Sequence, residues 1–261
     1  MNIGLALSGG GMRGIAHIGT IKALEDNAIY PTHISGSSAG AIVGALYAYG
    51  YQWSDIFNFF KEIQILDFKK YAMGKPGFLD AEKFYPELHT LIKNDNFDAL
   101  KKKLFVSATD ILNGNLKTFD SGQLIRPILG SAAFPGVFSP VNIENAYYID
   151  GGALDNFPIR PLQKECDIII GSYVNGYDKI DITDLKHSYN VVERAFKLRT
   201  VQEDYQKFND CNLIVAPTEL DGYGTFEKKN LQTIFKIGYN ATIEALDYKP
   251  ELKLKLATRP V

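Results

Sequence analysis

Three short stretches of this sequence hold residue types that could carry out nucleophilic chemistry together: Gly9-Gly10-Gly11-Met12-Arg13-Gly14, Gly36-Ser37-Ser38-Ala39-Gly40 and Asp150-Gly151-Gly152. The middle one is a G-x-S-x-G pentapeptide centred on Ser38, between a short extended segment and a run of small residues. A serine in that setting sits on a sharp strand-to-helix turn, in a strained backbone conformation that flanking glycines, here Gly36 and Gly40, make sterically feasible. Its oxygen then lies at a helix N-terminus, where the peptide dipoles favour a partly ionised alkoxide. Such a nucleophile needs a base and donors for the oxyanion it generates. The first stretch offers donors, because a glycine turn that opens a helix presents several backbone N–H groups to an anion.

The same glycine loop supports a competing reading. Gly9, Gly11 and Gly14 match G-x-G-x-x-G, the turn that cradles a dinucleotide pyrophosphate. That reading also needs an acid about 20 residues on, at the end of the second strand, to hold the ribose. No Asp or Glu lies between Asp26 and Asp55, which disfavours it. The base is less clear from residues alone. The four histidines are His17, His33, His89 and His187, and none has a sequence context that recommends it. Asp150 and His187 would follow Ser38 in the chain order of an α/β-hydrolase, but the pentapeptide comes too early for that fold. Asp150 ends an apolar strand and is followed by two glycines, which exposes its carboxylate at a sheet edge. An ordinary Asp-Gly turn explains the same residues equally well.

These residues must be positioned by a scaffold, and the chain is long enough to build one. Of its 261 residues, 46% are hydrophobic and 22% charged. That profile fits a soluble globular protein and excludes disorder, collagen and coiled coil. Apolar runs near 3–8, 32–37, 104–111, 116–119, 147–150, 168–174 and 212–217 predict strands. Helical spacing predicts helices over 14–28, 39–49, 189–208 and 230–247, the second stopped by Gly50. The alternation points to an α/β fold: a mostly parallel sheet with helices on both faces. No repeat or linker divides the chain, so residues 1–261 are expected to form a single domain.

Partners and compartment are bounded more loosely. A net charge of −2 lacks the basic excess of a nucleic-acid binder. Two cysteines, Cys166 and Cys211, cannot make a disulfide framework or a Cys-rich metal site, and no metal-ligand spacing or calcium loop is present, so no cofactor or metal is expected. There is no basic leader with a cleavage site, and the longest apolar stretch, 39–51, is too short to span a bilayer. A cytoplasmic protein is expected. Lys101-Lys102-Lys103 is either a solvated helix end or a peripheral contact with an anionic membrane. Residues 51–89 hold ten aromatics. Some should pack on the sheet, while others could form a lid or an apolar channel for an acyl chain.

Taken together, the motifs resemble those of the bacterial patatin-like phospholipases. Residues 9–14 resemble that family's oxyanion loop and residues 36–40 its nucleophile elbow. Ser131-Ala132-Ala133-Phe134-Pro135-Gly136 resembles its small-residue proline block, and Asp150-Gly151-Gly152 its Asp-Gly-Ala/Gly motif. Phe105-Val106-Ser107-Ala108-Thr109-Asp110 resembles a strand between these blocks. The resemblance spans residues 3–160 and implies a three-layer α/β/α sandwich with a Ser–Asp dyad and no catalytic histidine. It makes Ser38 the nucleophile and Asp150 the proton acceptor. Backbone N–H groups of the loop Gly9–Gly14, chiefly Gly10 and Gly11 and then Met12, would form the oxyanion hole, with Arg13 adding positive charge beside it. The implied reaction is hydrolysis of a phospholipid or lysophospholipid ester through an acyl-enzyme. A carboxylesterase or acyltransferase using other acyl donors, and a catalytically silent interaction module, are the alternatives. Head-group preference and oligomeric state have no signature in the sequence.

Overall fold

A computed structural model describes residues 1–63, 68–176, 179–185, 187–225 and 228–257. Its elements in chain order are β1 (Ile3–Leu7), α1 (Ile15–Asp26), β2 (His33–Ser37), α2 (Ala39–Tyr49), α3 (Trp53–Glu62), α4 (Tyr85–Leu91), β3 (Lys103–Asp110), β4 (Asn115–Phe119), α5 (Ile125–Ser131), β5 (Val141–Ile143), β6 (Ala146–Asp150), α6 (Arg160–Gln163), β7 (Ile168–Ser172), α7 (Ser188–Lys207), β8 (Leu213–Val215), α8 (Leu231–Tyr248) and α9 (Pro250–Ala257). The helix expected from residue 14 is preceded by one tight 3-10 turn, Gly11–Gly14, which carries the glycine loop into α1. Helix α2 ends where expected, with Gly50 at φ 108°, a value that favours glycine.

The strands form one sheet in the order β5-β6-β3-β2-β1-β7-β8, with β4 paired on β3. β3, β2, β1, β7 and β8 run parallel, while β4, β5 and β6 pair antiparallel. Side chains of the parallel strands divide by alternation. Leu5, Leu7, Leu104, Val106, Ile168 and Ile170 enter the larger core, shared with residues of α1, α2, α5 and α8. Ala6, Phe105 and Ile169 enter a smaller core on the opposite face, with Phe157, Ile159, Leu162 and Tyr173. Three layers result, one thick and one thin around the sheet, in agreement with the expected α/β/α arrangement.

Strand β3 is longer than β2, and this matters for the site. Over its first half it pairs with β2, ending at Ser37 opposite Ser107. Over its last three residues it pairs with β6, starting at Asp150 opposite Ala108. β4 pairs with β3 over residues 106–110, overlapping both partners. A strand has only two edges, so β2 and β6 must share the other one. They therefore meet end to end along β3.

Candidate active site

The parallel strands deliver two loops to the C-terminal edge of the sheet, where open α/β sheets bind ligands. β2 delivers Ser38, whose backbone adopts φ 53° and ψ −124°. For a residue with a Cβ this conformation is strained, and it persists only where the surroundings hold it. Two contacts do so. The Ser38 N–H donates to Ser131 Oγ at 2.9 Å, and the Ser131 hydroxyl donates to the Ser107 carbonyl at 2.6 Å. The elbow is also tight. A Cβ on Gly36 would strike the Gly40 carbonyl, and one on Gly40 would strike the carbonyls of Leu7 and Ser8.

Asp150 arrives from the opposite direction at the end of β6. Ser38 Oγ donates to its Oδ2 at 2.7 Å, and the Gly152 N–H donates to Oδ1 at 2.8 Å. Asp150 is buried. Burial raises its pKa to about 6, against the two hydrogen bonds that lower it. The carboxylate is thus a stronger base than an exposed aspartate.

The glycine loop lies beside this pair. The Gly9 N–H donates to the Asn156 carbonyl at 3.0 Å, and the Met12 N–H to the Thr225 carbonyl at 2.7 Å. Those two donors are engaged. Among the described residues the N–H groups of Gly10 and Gly11 have no partner, and both residues line the same cavity as Ser38. Gly11 has φ +57°, and a Cβ there would strike the Thr225 carbonyl. Gly14 closes the tight turn before α1.

Arg13 brings its charge to the loop and lines the same cavity as Ser38. It is buried, with Nη2 donating to Asn175 Oδ1 at 2.8 Å and Nη1 to the Tyr223 carbonyl at 3.0 Å. Glu193 Oε1 lies 3.4 Å from its guanidinium. The guanidinium ties the glycine loop to the 175, 193 and 223 regions.

His17, which has no sequence context that recommends it, lies beneath the loop. It is fully buried. Nε2 lies 2.8 Å from the Ser8 carbonyl and Nδ1 2.8 Å from Ser172 Oγ. A carbonyl only accepts, so Nε2 carries the proton and Nδ1 accepts from the serine. Burial pushes its pKa down to about 4, so it is neutral at pH 7 with both nitrogens occupied. It joins the end of β1 to β7 under the glycine loop. The other three histidines lie outside the site: His33 Nε2 is 3.4 Å from Glu165, His89 stacks on Tyr85, and His187 is the exposed N-cap of α7.

A cavity of about 1160 Å³, counting its open mouth, contains Ser38, Asp150, Gly10 and Gly11. One wall is apolar and comes from Ile42, Phe59, Phe60, Ile63, Phe84 and Leu88. Polar lining residues Asn175, Glu193, Lys197 and Thr225 stand among further apolar ones, Phe134 and Phe196. The aromatic residues of segment 51–89 divide into two groups. Phe59, Phe60 and Phe84 face the cavity, whereas Trp53 and Phe57 pack on Phe235 and Tyr51 stacks on Tyr49. Residues 64–67 and the Phe68 side chain lie outside the described residues.

A family model described as patatin-like phospholipase matches residues 5–162, which hold all three motifs. The chain belongs to the patatin-like phospholipase family. It is 33% identical over 180 residues to an uncharacterized NTE family protein of Mycobacterium tuberculosis, covering 67% of this chain and 49% of that one. It is 30% identical over 169 residues to the lysophospholipase NTE1 of Scheffersomyces stipitis, covering 62% of this chain and 11% of the relative. The chain thus spans half or less of the length of these relatives. The structure of VipD from Legionella pneumophila superposes with a TM-score of 0.52 at 15% identity, over 95% of this chain and 66% of VipD. That likeness is one of fold.

Two features of this patatin-like chain have no motif that announces them. Ser131 was visible only as part of the proline block, and its bond to the Ser38 N–H spans 93 residues of sequence. Helix α7 supplies Glu193, Phe196, Lys197 and Thr200 to the cavity, although it lies beyond the family match and carries no motif. The lysine run 101–103 is not a helix end. It leads into β3 at the far edge of the sheet from Ser38, with Lys102 Nζ donating to the Pro31 carbonyl and Lys103 paired with Asp120. Among the described residues no helix is long and apolar enough to cross a membrane.

Proposed function

We propose that this protein is a serine hydrolase of lipid carboxylic esters that works through an acyl-enzyme on Ser38, with Asp150 as the base and no histidine in the proton path. The observation that carries this reading is the 2.7 Å hydrogen bond from Ser38 Oγ to a buried carboxylate, made from a backbone that is strained at Ser38. Asp150 Oδ2 takes the serine proton as Oγ attacks the ester carbonyl. The N–H groups of Gly10 and Gly11 receive the developing oxyanion. Asp150 then protonates the leaving alcohol, and on deacylation takes a proton from the attacking water. Aspartate is a weaker base than imidazole. The α2 N-terminus under Ser38 and the two loop donors offset this by stabilising negative charge on the serine and on the intermediate.

The acyl chain lies along the apolar wall, so residues 51–89 act as its binding segment within one hydrolase domain. Phospholipid and lysophospholipid esters are the proposed substrates, in keeping with the printed name of the Scheffersomyces relative. Covalent labelling by a fluorophosphonate tests the nucleophile. Labelling that survives Ser38→Ala, or is absent from the native protein, removes this reading. A panel of diacyl, lysophospholipid and short-chain esters then separates lipid hydrolysis from simple carboxylesterase activity.

A further inference from the structure

The cavity lining holds a cation, Lys197, that the reaction above does not use. Glu193, Lys197, Thr200 and Asp204 share one face of α7, at the four- and three-residue spacings that align side chains on a helix. Both ends of this row are tied to the glycine loop. Glu193 accepts from Arg13 and from the Thr225 hydroxyl. Asp204 contacts Asn156 Nδ2 at 3.5 Å and Lys207 Nζ at 3.1 Å, and the Asn156 carbonyl holds the Gly9 N–H. The middle of the row, Lys197 and Thr200, therefore lies across the loop, and both residues line the cavity. The Thr200 hydroxyl donates back to the Phe196 carbonyl. The Lys197 ammonium pairs with Glu193 Oε1 at 3.6 Å, longer than an ordinary hydrogen bond, and shares that oxygen with Arg13.

A donor beside it is unmatched. Arg13 Nη1 and Nη2 are engaged, but its buried Nε has no partner among the described residues. Two cations thus converge on one carboxylate, with Asp221 as the other acid acting on Lys197. Burial and the Arg13 charge pull the Lys197 pKa down to about 8, so the ammonium is still charged at pH 7. An anion in the cavity would offer this ammonium a closer acceptor than the shared Glu193 oxygen.

We propose that Lys197 forms a subsite for the phosphate of a monoacyl glycerophospholipid and so selects phosphate-bearing lipids over neutral esters. The inference rests on the acyl-hydrolase reading only for its placement. With the ester carbonyl at Ser38 and the chain on the apolar wall, the glycerol phosphate is left facing α7. In such a lipid the phosphate follows the ester by one glycerol unit, which suits a cation lying across the oxyanion loop.

Binding of uncleavable ether lipids tests this independently of catalysis. Calorimetry would compare 1-O-alkyl lysophosphatidate, 1-O-alkylglycerol of the same chain length and glycerol phosphate, all as monomers. The native protein should bind the phosphate-bearing lipid about tenfold or more tighter than the alkylglycerol. Lys197→Met should abolish that preference while changing alkylglycerol affinity less than about twofold, which also reports that the cavity is intact, and Lys197→Arg should keep most of it. Equal binding of the two ether lipids by the native protein, or a preference that persists in Lys197→Met, overturns the proposal. Glycerol phosphate binding as tightly as the lipid would mean a site for free phosphate esters, and overturns it as well. A failure of the catalytic reading would appear instead as absent ester turnover by the native protein, with the ether-lipid comparison unaffected.

Discussion

Ser37 and Asp150 pair with consecutive residues of β3, Ser107 and Ala108, on the same edge of that strand. The residue after Ser37 and the last residue of β6 are brought face to face by a hydrogen-bonded ladder, with no flexible loop between either of them and the sheet. Ser131 reinforces the junction by binding both the Ser38 N–H and the carbonyl of Ser107. The spacing between hydroxyl and carboxylate is therefore a property of the sheet, which is the rigid support that a two-residue mechanism needs.

Ser38→Ala should reduce ester hydrolysis to background, and Asp150→Asn should lower kcat by about 10³, within the usual range for loss of a general base. The second substitution should also stabilise the protein. The Asp150 pKa rises from 3.8 to about 6 on folding, so the native state holds this proton more tightly than the unfolded chain. Stability falls as pH rises through that window, and the whole penalty, roughly 3 kcal/mol at most, is present above it. Thermal melts should show Asp150→Asn above the native protein at pH 8 and level with it near pH 3.5. A lower melting temperature for the variant at pH 8 would count against a desolvated carboxylate.

The same group should set the pH profile of activity. Only the ionised carboxylate accepts the serine proton, so kcat/KM on a p-nitrophenyl ester should fall about tenfold per unit below pH 6 and level off above it. An acid limb centred near 4 would show that burial does not perturb Asp150 in the working enzyme.

Ser131→Ala leaves the strained Ser38 N–H without its acceptor. A stability loss of about 1–3 kcal/mol is expected, together with a fall in kcat that exceeds any change in KM. Chemical denaturation and steady-state kinetics measure the two effects separately. Unchanged kcat would show that the elbow geometry does not depend on this bond.

Ala81 is buried on the cavity wall next to Phe84. Ala81→Leu should shorten the acyl chain that fits, lowering kcat/KM for a twelve-carbon ester about tenfold relative to a four-carbon ester. A series of p-nitrophenyl esters reads this directly, and an equal loss at every length would place the acyl chain elsewhere.

His17 should prove structural. Its pKa falls from 6.5 to about 4 in the fold. Acidification through that window charges the unfolded chain first and so lowers stability. His17→Phe should remove this acid sensitivity while costing about 1–3 kcal/mol at pH 7, through the unsatisfied Ser8 carbonyl and Ser172 hydroxyl. Hydrolysis per folded molecule should stay within about tenfold of the native rate, and its complete loss would implicate His17 in the chemistry.

The legible parts of this protein are those whose cause is local. The glycines of the loop and elbow, the small residues of α2 and the apolar runs of β1, β2, β3 and β7 declare themselves within a few residues, because a turn, a close approach or an alternation requires them there. Strand β5, three residues long, and helix α5 have no pattern that stands out from their surroundings. The partners of Ser38, His17 and Arg13 depend on strand register and on helix placement more than 90 residues away. His17 shows the limit well. On its own helix nothing distinguishes it from a surface histidine, and its buried partners, the Ser8 carbonyl and the Ser172 hydroxyl, come from the ends of β1 and β7.

The row of side chains on α7 has an evolutionary consequence. The family match ends at residue 162, whereas Asn175 and α7 add their groups to the cavity from beyond it. In the proposed reading, the groups that break the ester and those that face the headgroup therefore lie on separate stretches of chain. Substitutions in the later stretch can then change the diet without disturbing the machinery that cuts.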